Sequence, residues 1–426
     1  MHMFFSGAKI SALHAREILD SRGNPTVSCR VTLRSGASAS ASVPSGASTG
    51  SHEAFELRDG GKRFGGKGVL KAVKHIQEDI APVLHGISVF RQEDIDHVMI
   101  ELDGTSNKKR LGANAILAVS LACARAASAE RRIALWRSLR ETFSFVHEPS
   151  LPIATMNVLN GGAHANWSMD VQECMIVPTL PSFSERLRAG AEIFAHLRAL
   201  LAEEGFATTV GDEGGFAPRL PNAEHAFDLL TQAIKRSSYK LGKQVLFAVD
   251  VASSELYDAK KKAYVFRAEG KTYTAQQLLK RYLTWQERYP FISIEDPFAE
   301  DDWTSWKQAL PLLGKKSAVV GDDFLVTNVD RVKRAIDERA ANTLLVKVNQ
   351  IGTLTEAVSA ITMAHEAGWK TSVSHRSGET ADPFIADLAV ACGSEFIKTG
   401  SLSRSERVEK YNRLLEIEDE LQLWNR

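Results

Sequence analysis

Residues 343–374 read TLLVKVNQIGTLTEAVSAITMAHEAGWKTSVS, and this stretch contains the unit from which the fold follows. Residues 343–348 form an apolar run broken only by Lys347, with the length of a buried strand. Thr353 and Glu356 then read as a capping box, Val358, Ile361 and Met363 supply apolar positions, and Gly368 stands as a C′ stop, so residues 353–368 are predicted to be a helix. Residues 371–374 return to strand character.

Outward from this unit the same rhythm recurs. Short apolar strands are expected at residues 245–251, 291–294, 318–320 and 395–397, separated by amphipathic helices. Strand, helix and strand repeated this often imply a parallel sheet, and at this number of units a closed barrel. Nearer the N-terminus the period differs. Val27, Cys29, Val31 and Leu33 alternate with polar residues as in a half-buried strand of an antiparallel sheet. Val69, Leu70, Val73, Ile76, Ile80 and Val83 have helical spacing, and residues 111–127 read as a helix buried on most faces. Two domains are expected, an α+β domain over residues 1–140 and the barrel over 141–426. The Ser/Ala/Gly-rich segment 35–51 reads either as slack or as a flexible lid.

Composition narrows the function classes. Lys plus Arg equals Asp plus Glu at 52 each, so no net field draws the chain to nucleic acid or an anionic membrane, and a small-molecule partner is expected. Cys29, Cys123, Cys174 and Cys392 are widely spaced with no CxxC pair, which reads as buried thiols in a reducing compartment, the cytoplasm. No apolar run is long enough for a signal peptide core or a membrane span.

Charged residues fall at the ends of the predicted barrel strands: Asp250 after Val245-Leu-Phe-Ala-Val, Glu295 after Phe291-Ile-Ser-Ile, and Asp322 after Ala318-Val-Val-Gly. Strand C-termini of a barrel face one mouth, so these carboxylates would converge and repel, and a hard divalent cation, magnesium or manganese, would offset that. Each acid taken alone reads more readily as a cap of the following helix, and it is the three in register that favour a metal. Lys347 within its apolar strand is a candidate general base, with burial, a metal and Lys398 all expected to lower its pKa. An ion pair or an outward-facing side chain is the other reading. Arg376 and Ser377, after His375, offer a fork and a hydroxyl for a phosphate or carboxylate. Asn160-Gly-Gly-Ala-His-Ala with Gln172 and Glu173, and Val210-Gly-Asp-Glu-Gly-Gly, are glycine-rich and acidic. Glu213, its pKa expected to be raised by Glu173 or by burial, is a candidate acid for a leaving hydroxyl, unless the segment is only a turn. Gly61 to Gly68 mimics a P-loop but lacks its Ser or Thr, and His52-Glu53 lacks the second histidine of a zinc peptidase.

Together with Asp20-Ser-Arg-Gly-Asn-Pro-Thr, Val43-Pro-Ser-Gly-Ala-Ser-Thr-Gly, Leu111-Gly-Ala-Asn-Ala-Ile-Leu, Ser374-His-Arg-Ser-Gly-Glu-Thr and Ile397-Lys-Thr-Gly, these segments resemble the enolases from about Ala15 to Leu421. The resemblance implies an α/β chain, a TIM-like (β/α)8 barrel with atypical first strands behind a smaller N-terminal α+β domain, assembled as a homodimer or larger. It implies reversible dehydration of 2-phosphoglycerate to phosphoenolpyruvate with two Mg2+ per active site, the second bound with substrate. A Lys or His base acting with magnesium is general in that superfamily. By motif, Asp250, Glu295 and Asp322 match ligands of the first ion and Ser48 of the second; Lys347 matches the base, and Glu213 assisted by Glu173 the acid. His164, Gln172, His375, Arg376, Ser377 and Lys398 match substrate contacts. Trp167, in Ala163-His-Ala-Asn-Trp-Ser, departs from the family pattern and would reshape one wall of the site. That departure keeps open a paralogue acting on a related phosphorylated or phosphonate acid. A non-catalytic binding protein on the same fold is a further alternative.

Overall fold

The computed structural model describes residues 7–46 and 50–424. Strands β1 (Ile10–Leu19), β2 (Pro25–Leu33) and β3 (Ser38–Ser42) form an antiparallel sheet. The sheet therefore begins before the alternation at Val27, and β3 lies inside the segment read from sequence as slack or lid. Asp20 closes the β1–β2 turn, one carboxylate oxygen accepting from the backbone N–H groups of Arg22 and Asn24 at 2.8 Å each. Helix Ala113–Arg131 packs on this sheet, and its run of buried alanines lets the backbones approach closely. The helix expected around Val69–Val83 is interrupted: Leu70–His75 and Ala81–Leu84 flank a π turn at Ile76–Ile80.

The remaining strands are β4 (Ile153–Asn160), β5 (Glu173–Pro178), β6 (Val245–Asp250), a small sheet of β7 (Tyr257–Asp258), β8 (Ala263–Phe266) and β9 (Lys271–Tyr273), then β10 (Phe291–Glu295), β11 (Ala318–Gly321), β12 (Thr343–Val346), β13 (Lys370–Ser374) and β14 (Phe396–Lys398). A closed barrel runs β10-β11-β12-β13-β14-β4-β5-β6. Seven of its strands are parallel, while β5 runs antiparallel to both neighbours. The cause is local: only the short turn Gly162–Ala165 and a loop separate β4 from β5, too little chain for a crossover helix, and helices Phe183–Glu203 and Ala223–Arg236 both follow β5. β4 and β5 are the strands the sequence pattern did not locate.

Strand parity decides what points inward. In β12, Leu344 and Val346 join the main core while Leu345 packs inside the barrel. In β11, Val319 is outward and Ala318 and Val320 inward; in β6, Phe247 and Val249 are outward and Leu246 and Ala248 inward. Continuing that period of two by one step turns Asp322, Lys347 and Asp250 into the mouth. β10 needs a correction to its parity, because Ile292 packs inward and Ile294 outward. A register shift between Phe291 and Ser293 provides it, and Glu295 faces in. All four cysteines are buried and unpaired, as expected.

Candidate active site

The mouth holds a narrow, partly open cleft lined by His164, Gln172, Glu173, Glu213, Lys347, Ser374, His375, Arg376, Ser377 and Lys398. Every candidate catalytic and substrate-contact residue is in that set. Ser48 lies outside the described residues. Trp167 does not line the cavity: its ring stacks under Arg267, 4.9 Å from the guanidinium carbon, beside the β8–β9 turn. The expectation that it reshapes a wall is therefore corrected.

Two lysines neutralise the acids. Lys398 Nζ lies 2.9 Å from Asp250, 2.7 Å from Glu295 and 3.1 Å from Glu173. Lys347, immediately beyond β12, contacts Asp322 at 2.5 Å, and Gln350 Nε2 donates to the other Asp322 oxygen at 2.9 Å. Burial works to lower the Lys347 pKa, but Asp322 outweighs it and holds the value above the ordinary lysine range. The lowered pKa expected from sequence is thus corrected, because a partner 25 residues away was not visible as its contact.

On the other side, Glu213 lies 3.2 Å from His164 Nδ1 and 3.6 Å from His375 Nε2, and accepts from Asn157 Nδ2 at 2.9 Å. Burial pushes Glu213 up, but His164 first and then the Arg407 guanidinium hold it well below the usual carboxylate range. Glu173 is pushed well above that range, by burial first and then by Glu213. The sequence expectation placed the raised pKa on Glu213; burial and the neighbouring Glu213 carboxylate place it on Glu173 instead.

The mouth can hold cations. Burial first, and repulsion from a neighbouring carboxylate second, raise Glu173, Glu295, Asp296 and Asp323 well above ordinary carboxylate values, a repulsion that a cation would relieve. Glu173 Oε2 and Gln172 Oε1 are buried with no hydrogen-bond partner among the described residues. Most of the donors are carboxylate oxygens, which suit a hard ion. Two sets of side chains bring ligand atoms within 4.8 Å of one another: His164, Glu173 and Glu213, and Asp296, Asp322 and Asp323. Asp250 and Glu295 pair with Lys398 instead of joining a set with Asp322.

Three contributors were missed from sequence. Glu53, set aside with the failed His52-Glu53 motif, forms a bidentate pair with Arg376 at 2.9 and 3.0 Å, reaching over from the N-terminal domain. Asp296 takes a positive φ of 41° and accepts from the backbone N–H groups of Asp322 and Asp323 at 2.8 and 2.9 Å, fixing the strand end that carries Asp322. An acid directly after Glu295 was the available signal. Asn157 is buried on β4, a strand the periodicity did not reveal.

Comparison with known proteins adds two findings. Residues 10–139 match the family described as Enolase, N-terminal domain, and residues 148–424 match Enolase, C-terminal TIM barrel domain. The chain is 52% identical over 416 residues to Enolase 2 of Pseudomonas syringae pv. syringae (strain B728a), covering 97% of this chain and 96% of that protein.

Proposed function

This chain belongs to the enolase family and is a hydro-lyase, and from that premise we propose that it catalyses the reversible dehydration of 2-phospho-D-glycerate to phosphoenolpyruvate. The observation that carries this reading is that Lys347 and Glu213 line one cavity together with Arg376 and Ser377. Lys347 Nζ takes the proton from the carbon beside the substrate carboxylate once its contact with Asp322 loosens. Glu213, relayed from the proton on Glu173, protonates the departing hydroxyl on the next carbon. Arg376 and Ser377 hold the phosphate, with His164, Gln172, His375 and Lys398 as further contacts. Asp250, Glu295 and Asp322 would hold one Mg2+, and Ser48 would contribute to a second that arrives with substrate. The ions supply positive charge against the second negative charge that builds on the carboxylate as its neighbouring carbon is deprotonated.

Among the described residues no helix is long and apolar enough to cross a membrane. The family supports a cytoplasmic homodimer or larger assembly, with a cap over residues 1–140 and the barrel over 141–426. Purified protein with magnesium is expected to convert 2-phosphoglycerate, followed by absorbance of the enol product. Absence of turnover in folded, magnesium-loaded protein would overturn this substrate.

A further inference from the structure

We propose that Arg407 is the positioning residue of this site: one guanidinium fixes the tautomer of His375 and holds the backbone under both the acid and the anion-binding residues. Arg407 stands near the start of helix Ser405–Trp424 and is fully buried. Nη1 donates to His375 Nδ1 at 2.5 Å and to the Arg376 carbonyl at 2.6 Å. Nη2 donates to the carbonyls of Asp212 at 3.2 Å and Ser377 at 2.8 Å. All four terminal N–H bonds are thus used, and Nε lies 3.4 Å from the Glu406 carboxylate.

The chemistry of that contact leaves one choice. A guanidinium has no acceptor and keeps its protons, so His375 Nδ1 must present a lone pair. His375 is then neutral with its hydrogen on Nε2, the nitrogen that faces Glu213 Oε1 across 3.6 Å. Burial, together with the positive charge of Arg407, further disfavours imidazolium despite Glu213 nearby. His375 is thereby made a donor toward the acid, and cannot accept from it.

The same group ties two loops that diverge in sequence. Asp212 precedes Glu213, while Arg376 and Ser377 are the anion-binding pair, so their separation across the cavity is set by one planar fork. Gly400 permits the approach: at φ +83°, a Cβ there would lie 2.8 Å from Arg407 Cδ and 3.1 Å from His375 Cε1. A lysine at position 407 would present a single ammonium and could not serve four acceptors lying on different sides.

The catalytic consequence rests on the dehydratase reading above, but the tautomer does not. In full-length protein with 15N-labelled histidine, assigned by His375→Gln, His375 is expected to show an unprotonated Nδ1 and a protonated Nε2 between about pH 6 and 8. A protonated Nδ1 overturns the inference whether or not 2-phosphoglycerate is turned over. Arg407→Lys is expected to mix the tautomers and to lower kcat about tenfold to a hundredfold, with a smaller change in KM. A folded variant with wild-type kcat and an unchanged tautomer overturns it as well. Should the variant not fold, the wild-type spectrum alone decides.

Discussion

Inside the barrel, away from the mouth, Ala318, Val320, Leu345 and Phe396 pack with Ile153 and Ile292, and Met175, Val177 and Ala248 pack against the same two isoleucines. At the mouth, the next inward positions of those strands are Asp322, Lys347, Lys398, Glu295, Asp250 and Glu173. One face of one sheet therefore carries an apolar plug and a charged cluster, separated by two residues of chain. The plug gains stability from burial. The cluster does not: its carboxylates are buried beside one another and several resist ionisation. A sequence selected for stability alone would continue the plug to the rim.

The strongest way to break this contrast is to remove the proposed base. Lys347→Ala is expected to abolish solvent exchange of the substrate α-proton and lower turnover by at least about a hundredfold, while Glu213→Gln spares exchange and blocks dehydration. Exchange and turnover are measured on magnesium-loaded protein whose melting remains cooperative. Equal loss of exchange in both variants would contradict the division of roles.

The opposite result is expected two residues down β14. Phe396→Ala removes a buried ring from the inner plug and should cost about 3–5 kcal/mol in denaturant unfolding, leaving kcat per folded molecule unchanged. A large fall in kcat with little loss of stability would show that plug and mouth are not separable.

Which end was legible in sequence follows from parity. β6, β11 and β12 have apolar runs that end in a charged residue, so Asp250, Asp322 and Lys347 could be placed at the mouth from pattern alone. β4 carries Thr155, Asn157 and Asn160 among its apolar residues, and its polarity hid it. Glu173 opens its strand; in a parallel strand it would lie at the far end, and only the reversed direction of β5 brings it opposite Asp250. Glu53 reaches Arg376 across 323 residues, and Arg407 reaches His375 across 32 and Asp212 across 195, and no local period encodes such contacts. Both misjudged pKa directions share that cause: Lys347 answers to Asp322 and Glu213 to His164, whose proximity is tertiary.

Magnesium distinguishes the ends by a smaller amount. At about a hundred times its dissociation constant it should add about 2.7 kcal/mol to wild-type stability, read as a rise in Tm. Phe396→Ala should keep that increment, and Glu295→Gln should lose most of it. An equal increment in both would move the ion away from the proposed carboxylates.

The smallest effect is a difference in sign with pH. Near the start of β13, His365 Nε2 is hydrogen-bonded with Thr371 Oγ1 at 3.0 Å, its ring stacks on His147 at 4.0 Å, and its Nδ1 is buried without a partner among the described residues. Burial, with His147 beside it, lowers its pKa to about 4. The folded ring thus refuses a proton that the unfolded chain accepts near its ordinary value, so this contribution is intact above about pH 6.5 and falls as pH drops toward 4, by up to about 1.4 kcal/mol per unit. The raised mouth carboxylates act the other way: folding retains their protons, so their contribution is present below the ordinary carboxylate range and is lost as pH rises through their elevated values. In metal-free protein, His365→Gln should flatten the acid limb of the urea midpoint against pH, whereas Glu173→Gln should raise the midpoint only toward alkaline pH. If His365→Gln left the acid limb as steep as in wild type, acid sensitivity would have to arise at the mouth, and the two ends would no longer titrate in opposition.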